Sequence, residues 1–167
     1  MTTQSNELPI SLAMLIQRVD DAKTIQTFSE EIGPHLSLEE VTSKEILADT
    51  IDWSPYDLFI LDEEIKAFDT IGFVKQLRGL NSSMSIIMLT RKSDRKRAVE
   101  AMKAGATDYI FKRDLNREIF EKSIKYCQER TIHDREIRQR NVLIESLFEQ
   151  SNDAIFLCDD EWNIMEF

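Results

Sequence analysis

One stretch of the chain decides the fold: Tyr56-Asp57-Leu58-Phe59-Ile60-Leu61-Asp62. Its consecutive apolar residues stand between Ser54-Pro55 and a run of acids, which is the pattern of a short strand buried on both faces. Such strands belong to parallel sheets, where ligands and reacting groups collect at the carboxyl ends of the strands. We therefore predict that Asp62 lies at the edge of a sheet where a functional site forms.

Further apolar runs predict four more strands, at residues 11–16, 36–41, 85–89 and 107–111. A helical pattern or a helix cap follows every strand. We predict helix caps at Ser43, at Asp69 and at Ser93 or Asp94, helix stops at Gly33-Pro34, Gly79 and Gly105, and a last helix that opens near Asp114. This alternation predicts an α/β fold with a doubly wound five-stranded parallel sheet and right-handed crossovers.

The composition is that of a globular protein with an acidic surface. The chain has 167 residues, with 21 Lys and Arg against 31 Asp and Glu, and its formal net charge of -10 argues against bulk electrostatic binding to nucleic acid or an anionic membrane. Cys127 and Cys158 are too few for a disulfide framework and fit a reducing compartment. No apolar run reaches the ~20 residues of a membrane span. We predict a cytoplasmic protein without a targeting signal.

Polar and charged residues gather where the predicted strands end. They are Asp20, Asp21, Asp62, Thr90 and Lys112. Three converging carboxylates repel one another unless some are protonated or a cation is present. An all-oxygen set of carboxylates suits Mg²⁺, and no His or Cys near the strand ends supports zinc. A carboxylate such as Asp62 can attack phosphorus when a metal ion and a cation neutralise the phosphoryl oxygens, and Lys112 supplies that cation.

The residues in this order resemble a known family. The segments Val19-Asp20-Asp21, Asp62, Thr90-Arg91 and Tyr109-Ile110-Phe111-Lys112 look like those of the receiver domain of two-component response regulators, over residues 10–128. The resemblance implies a flavodoxin-like sheet with strand order 2-1-3-4-5. It also implies a role in signal transduction or a phosphorelay, in which a histidine kinase or phosphotransfer protein is the partner.

The same resemblance implies a role for each residue of the site. Asp62 would be the phosphoacceptor, and Asp21, supported by Asp20, would hold Mg²⁺ together with Asp62 and the backbone carbonyl of Glu64. Lys112 would pair with Asp62 or its phosphate. Thr90 would then move toward the phosphoryl group while Tyr109 turns inward, which biases a face made of the fourth helix, the fifth strand and the fifth helix. No enzymatic activity is implied beyond Mg²⁺-dependent self-phosphorylation and slow self-dephosphorylation.

Simpler roles for these residues remain open at this stage. Asp20 or Asp21 can cap the first helix, Thr90 can be an ordinary strand-end residue, Tyr109 can belong to the core, and Lys112 can extend to solvent. Two whole-protein alternatives are a receiver-like interaction module that is not phosphorylated, and a small phosphohydrolase on a related fold with Glu64 as acid or base.

Some positions depart from the family pattern. Arg91 and Lys92 follow Thr90 where receivers often have a small residue, and Glu64 adds an acid beside an already acidic site. We hypothesise that Arg91 or Lys92 pairs with Glu63 or Glu64 across the mouth of the site, restricts water and modulates the lifetime of the phosphate. The alternative is a solvated surface pair that contributes little.

The chain outside residues 10–128 has its own predicted organisation. Residues 1–9 are polar and expected to be disordered, and residues 129–146 form a helical signalling linker, with Ile137 and Ile144 spaced for pairing two chains. A homodimer through the last receiver helix and this linker is one prediction, and a single helix on its own domain is the alternative. Residues 147–167 resemble the start of a PAS domain, so we expect the chain to be part of a longer protein with a PAS-containing output.

Overall fold

The computed structural model describes residues 9–80, 83–91 and 95–149, and strands alternate with helices along them. The strands are β1 (Ile10–Leu15), β2 (Leu36–Glu40), β3 (Leu58–Asp62), β4 (Ser85–Thr90) and β5 (Asp108–Phe111). The helices are α1 (Val19–Ile32), α2 (Ser43–Leu47), α3 (Thr70–Leu80), α4 (Arg95–Ala104) and α5 (Arg117–Glu149).

The sheet has five strands in the order β2-β1-β3-β4-β5, and every neighbouring pair is parallel. This confirms the doubly wound parallel sheet and the strand order implied by the resemblance. All residues of the central strand β3 are buried, which explains the unbroken apolar run of its sequence. The strand order reverses between β1 and β3, and in such sheets the crevice outside the carboxyl ends at that point is where ligands bind.

Two hydrophobic cores lie on opposite faces of the sheet because successive side chains of a strand point to opposite sides. In one core, Leu58 and Ile60 of β3 pack against α1 and α5. The helix residues include Ile25 of α1 and Phe120 and Ile124 of α5. The other takes Phe59 and Leu61 of β3 and packs them against α3 and α4, through Val74, Leu77 and Ala101. Both faces of β3 are therefore covered, and only its end reaches the crevice.

Helix ends follow local hydrogen bonding, which corrects one predicted cap and confirms another. Thr42, not Ser43, caps α2: its hydroxyl accepts from the Glu45 amide at 3.3 Å, while the Glu45 carboxylate accepts from the Thr42 amide at 2.8 Å. The prediction missed this reciprocal pair. Asp69 caps α3 as predicted, accepting from the amides of Ile71 and Gly72 at 3.2 and 3.1 Å.

Two of the predicted glycine stops have different outcomes. Gly105 follows the last residue of α4 with φ of 109°, a left-handed conformation that confirms the predicted stop. The prediction for Gly79 is wrong: Gly79 lies within α3, which ends at Leu80. The last helix begins at Arg117, later than Asp114, because the Asn116 side chain accepts from the Ile119 amide at 3.0 Å and caps it there.

Two compact units divide the chain between residues 132 and 133, within the bounds of α5. Residues 129–146 are helical, and their role as a signalling linker stays a prediction. The expected disordered stretch at residues 1–8, the predicted caps Ser93 and Asp94, and residues 150–167 of the PAS-like segment lie outside the described residues. No helix among the described residues is long and apolar enough to cross a membrane.

Candidate functional site

Asp62 is the last residue of β3, and its side chain is fully buried. Its Oδ1 accepts a hydrogen bond from the Glu64 amide at 3.0 Å, and its Oδ2 accepts one from the Gln17 amide at 3.0 Å. The Lys112 ammonium donates to Oδ2 at 2.6 Å. Segments after β1, β3 and β5 thus hold this carboxylate, because parallel strands bring their carboxyl ends to one edge of the sheet.

Lys112 binds three carboxylates at once. Its Nζ lies 2.6 Å from Asp62, 3.0 Å from Asp21 and 3.0 Å from Glu64, and its side chain is only 7% exposed. Burial acts to lower the pKa of Lys112, but hydrogen bonds to Asp62, Asp21 and Glu64 outweigh it and raise the pKa above its ordinary value. Lys112 is therefore a fixed positive charge at the site.

Arg91 is a second cation in contact with the same carboxylates. Its guanidinium lies 3.2 Å from Asp21 and 3.3 Å from Glu64, with the arginine side chain 40% exposed. The hypothesised pairing of Arg91 with Glu64 is confirmed, whereas Lys92 lies outside the described residues. Burial acts to raise the pKa of Asp21, but hydrogen bonds from Lys112 and Arg91 outweigh it and lower the pKa.

The carboxylates form a group that suits a hard cation. One oxygen each of Asp21, Asp62 and Glu64 lies within 4.8 Å of the others. Three carboxyl groups meet two cations, Lys112 and Arg91, and the oxygen donors of the group are those that Mg²⁺ prefers. Glu64 enters the group through its side chain, although the resemblance implied its backbone carbonyl. Asp20 is exposed and outside this group, so its supporting role stays a prediction.

A second acid, Glu63, lies beside Thr90 and Tyr109. The sequence predicted Glu63 only as a partner for Arg91 or Lys92. The Tyr109 hydroxyl donates to Oε2 of Glu63 at 2.6 Å, and the Glu63 amide donates to the carbonyl of Leu89 at 2.8 Å, next to Thr90. Arg97 of α4 pairs with Oε1. The sequence signal was the pair of acids, Glu63 and Glu64, directly after the end of β3.

Protonation at this second acid follows from its partners. Burial acts to raise the pKa of Glu63, but hydrogen bonds from Thr90, Tyr109 and Arg97 outweigh it and lower the pKa. Burial and the hydrogen bond to Glu63 raise the pKa of Tyr109 to about 12. At neutral pH, Glu63 is therefore a carboxylate and Tyr109 a neutral donor.

Comparison with known proteins gives a family for most of this chain. The response regulator receiver domain family matches residues 16–125. The transcriptional regulatory protein ZraR of Salmonella typhimurium is 35% identical over 77 residues, which are 44% of this chain and 18% of that protein. ZraR of Escherichia coli is 35% identical over 57 residues, or 34% of this chain and 13% of that protein. The matched segment spans less than a fifth of these relatives.

Solved structures share the fold at low sequence identity. The receiver domain protein (CheY-like) of Methanospirillum hungatei is 18% identical with a TM-score of 0.64, covering 75% of this chain and 98% of that one. A two-component response regulator of Clostridium difficile is 21% identical with a TM-score of 0.63, covering 72% and 97%.

Proposed function

Because this chain belongs to the response regulator receiver domain family, we propose that it is the phosphoacceptor module of a two-component or phosphorelay signalling protein. In this proposal Asp62 receives a phosphoryl group from a histidine kinase or phosphotransfer protein. One observation carries it: the fully buried carboxylate of Asp62 lies 2.6 Å from the Lys112 ammonium, beside oxygens of Asp21 and Glu64.

The proposed step is a substitution at phosphorus. An oxygen of Asp62 attacks the phosphorus of a phosphohistidine, a P–O bond forms, and the P–N bond breaks with its electron pair remaining on the imidazole nitrogen. The product is an aspartyl phosphate. Lys112 stabilises the negative charge of the transferring group, and the Thr90 hydroxyl can donate to one of its oxygens.

Asp21, Asp62 and Glu64 would hold the Mg²⁺ ion, as their oxygen donors suit it. When bound, Mg²⁺ supplies positive charge that neutralises phosphoryl oxygens. The role of Asp20 belongs to the same proposal as a support for Asp21. Beyond self-phosphorylation and slow self-dephosphorylation, we propose no enzymatic turnover, so the chain should not hydrolyse a phosphoester repeatedly.

The direct test is intact-mass spectrometry after incubation with acetyl phosphate and Mg²⁺. The wild type should gain one phosphoryl group, and Asp62→Asn should gain none. Asp57→Asn is the matched control, because Asp57 stands just before β3 and accepts from the Ser11 amide at 3.1 Å, at the opposite edge of the sheet. It should label like the wild type, and chelation of Mg²⁺ should abolish labelling in both.

Failure of the wild type to label, under conditions where a known receiver labels fully, would contradict the proposal. It would favour the second candidate, a receiver-like interaction module that is not phosphorylated. The observation that favours this interaction module is that Lys112 and Arg91 already pair with the carboxylates that would hold the metal ion.

The remaining proposals concern the output. We propose that phosphorylation is relayed along α5 through the linker at residues 129–146 to a PAS-containing output that begins near residue 147. The helical bounds of α5, Arg117–Glu149, support a relay along one continuous helix.

A further inference from the structure

Glu63, the residue after the phosphoacceptor, contacts three different segments of the fold. We propose that Glu63 is a positioning residue that holds both Thr90 and Tyr109 and connects them to the start of α4 through Arg97. This inference rests on the proposed phosphorylation of Asp62, because it describes how that phosphorylation affects the start of α4.

The geometry makes Glu63 the common partner of these groups. Its side chain is 5% exposed, and its two oxygens are divided between Tyr109 at 2.6 Å on Oε2 and Arg97 on Oε1. Thr90 is 1% exposed at the end of β4 and follows Leu89, whose carbonyl accepts from the Glu63 amide at 2.8 Å. A buried carboxylate needs such partners, and charge-assisted hydrogen bonds of this kind are the stronger ones in proteins.

Thr90 links Glu63 to the phosphoacceptor because its hydroxyl has a single proton. The Glu63 amide donates to the carbonyl of Leu89 at 2.8 Å, which puts Glu63 beside Thr90, and a hydrogen bond with the Thr90 hydroxyl contributes to the lowered pKa of Glu63. A phosphoryl group on Asp62 would be a second, more highly charged acceptor for the same proton. When Thr90 donates to the phosphoryl group, Glu63 loses one of its donors and keeps Tyr109 and Arg97 among its described partners.

The start of α4 depends on the pair that Arg97 makes with Glu63. The helix buries only Ala101 fully, and its first turn holds Arg95, Lys96 and Arg97 without an acid. Cations at a helix N-terminus interact unfavourably with the helix dipole. The Glu63 carboxylate supplies the opposite charge from outside the helix, so a change in how Glu63 is held changes the stability of the first turn of α4.

The test is hydrogen–deuterium exchange of the full chain, read on peptides that cover residues 95–104. Without phosphorylation, Glu63→Gln and Arg97→Ala should each raise amide exchange there by roughly tenfold, which is the effect of losing one charge-assisted hydrogen bond on a local opening equilibrium. Gln keeps the size of Glu63 and one acceptor oxygen. Arg95→Ala is the matched control, an exposed arginine on the same turn, and should exchange no faster than the wild type, because its loss removes an unfavourable cation from the helix N-terminus.

The double variant separates a coupled pair from two independent effects. If Glu63 acts through Arg97, Glu63→Gln combined with Arg97→Ala should exchange no faster than either single variant. Arg97→Lys, which keeps the charge, should restore part of the protection. Additive effects in the double variant would overturn the inference, as would exchange that rises equally in β1 and β2, since that pattern reports a general loss of stability.

Phosphorylation supplies the second readout. Labelling the wild type with acetyl phosphate and Mg²⁺ should raise exchange in residues 95–104, whereas in Glu63→Gln the raised exchange should change little on labelling. An unchanged response in Glu63→Gln would overturn the inference while Asp62 still labels. A wild type that does not label would instead remove the proposed function, and the exchange of the unphosphorylated variants would still decide whether Glu63 holds α4.

Discussion

Charge and burial differ among the side chains that meet at the end of β3. Asp62 is fully buried and Lys112 is 7% exposed, so their contact is weakly screened, whereas Arg91 is 40% exposed and in contact with solvent. Lys112 therefore contributes most to neutralising Asp62. Arg91 contributes less, and it competes for Asp21 and Glu64 with any cation that binds the cluster.

This competition predicts that Arg91→Ala binds Mg²⁺ more tightly than the wild type. The gain should be about twofold to fivefold in affinity, as expected for the loss of an exposed ion pair. Isothermal titration calorimetry without a phosphodonor measures it. Arg113→Ala is the matched control, because Arg113 is 66% exposed, follows Lys112 and contacts Asp114 at 3.5 Å. Equal affinity in the two variants would show that Arg91 does not compete with the ion.

The same arginine is the residue we propose to restrict water at the mouth of the site. The phosphoryl adduct of Arg91→Ala should then decay faster than that of Arg113→Ala, as followed by intact mass over time. An unchanged decay would leave Arg91 as a solvated surface partner.

At the scale of elements, helix ends and turns depend on single positions. Gly79 lies inside α3, and no atom of the described residues outside the helix backbone lies within 4 Å of an added Cβ. Gly105 has φ of 109°, and an added Cβ there would lie 2.5 Å from Cγ of Arg78. Arg78 donates from Nε to the Gly105 carbonyl at 2.8 Å, which fixes the turn between α4 and β5. A Cβ therefore fits at Gly79, whereas at Gly105 the backbone conformation and the Arg78 side chain both oppose one.

Alanine at these positions should change stability in opposite directions. We expect Gly79→Ala to raise the free energy of unfolding by about 0.5 kcal/mol, because Gly costs entropy in a helix. Gly105→Ala should lower it by about 2 kcal/mol, because the left-handed conformation and the close Arg78 side chain both oppose a Cβ. Urea unfolding followed by circular dichroism compares both variants with the wild type. A loss of stability in Gly79→Ala would contradict the prediction that a Cβ fits at position 79.

The capping box of α2 predicts a pH dependence. Hydrogen bonds from the Thr42 side chain and backbone lower the pKa of Glu45 below its model-compound value of 4.5. A lowered folded-state pKa stabilises the protein above pH 4.5, and this contribution is lost as pH falls through the folded-state value. Glu45→Gln should be less stable than the wild type at pH 7, and the difference should shrink below pH 4.5 in urea unfolding. A difference independent of pH would show that the charge does not contribute.

At the scale of the molecule, the described residues of the two cores all lie within the first compact unit. Their last member is Cys127, whereas the unit extends to residue 132. The part of α5 beyond it includes exposed Ile137 and Val142, 44% and 64% accessible. The side chains at the phosphoacceptor site, among them Asp62 and Lys112, lie in the first unit as well.

This organisation predicts that a chain ending at residue 132 folds and labels like the full chain. It should unfold cooperatively in urea and gain the same adduct on Asp62.

If α5 and the linker pair two chains, light scattering should find a dimer for the full chain and a monomer for the shortened one. Equal masses would contradict pairing through the linker, and loss of cooperative unfolding would contradict the independence of the first unit.

The sequence by itself determined the sheet, the order of its elements and the residue types at its strand ends. Apolar runs and helical spacing are local patterns, and a parallel sheet brings strand ends together whatever the details of packing. Asp21, Asp62, Thr90 and Lys112 could be proposed for that reason. Two local predictions were still wrong, the helix cap at Ser43 and the helix stop at Gly79. Competing hydrogen bonds and the space around each position decide where a helix begins and ends.

Only the tertiary structure decided which side chains meet. Arg91 lies 70 positions from Asp21 in the chain and Lys112 lies 48 from Glu64, so their contacts depend on distances that no local pattern encodes. The direction of each side chain after β3 sends Glu64 to Lys112 and Arg91, and sends Glu63 to Thr90, Tyr109 and Arg97. Asp20 is exposed and is not a member of the group that Asp21 forms with Asp62 and Glu64, since helix α1 starts at Val19 and neighbouring residues of a helix face different directions.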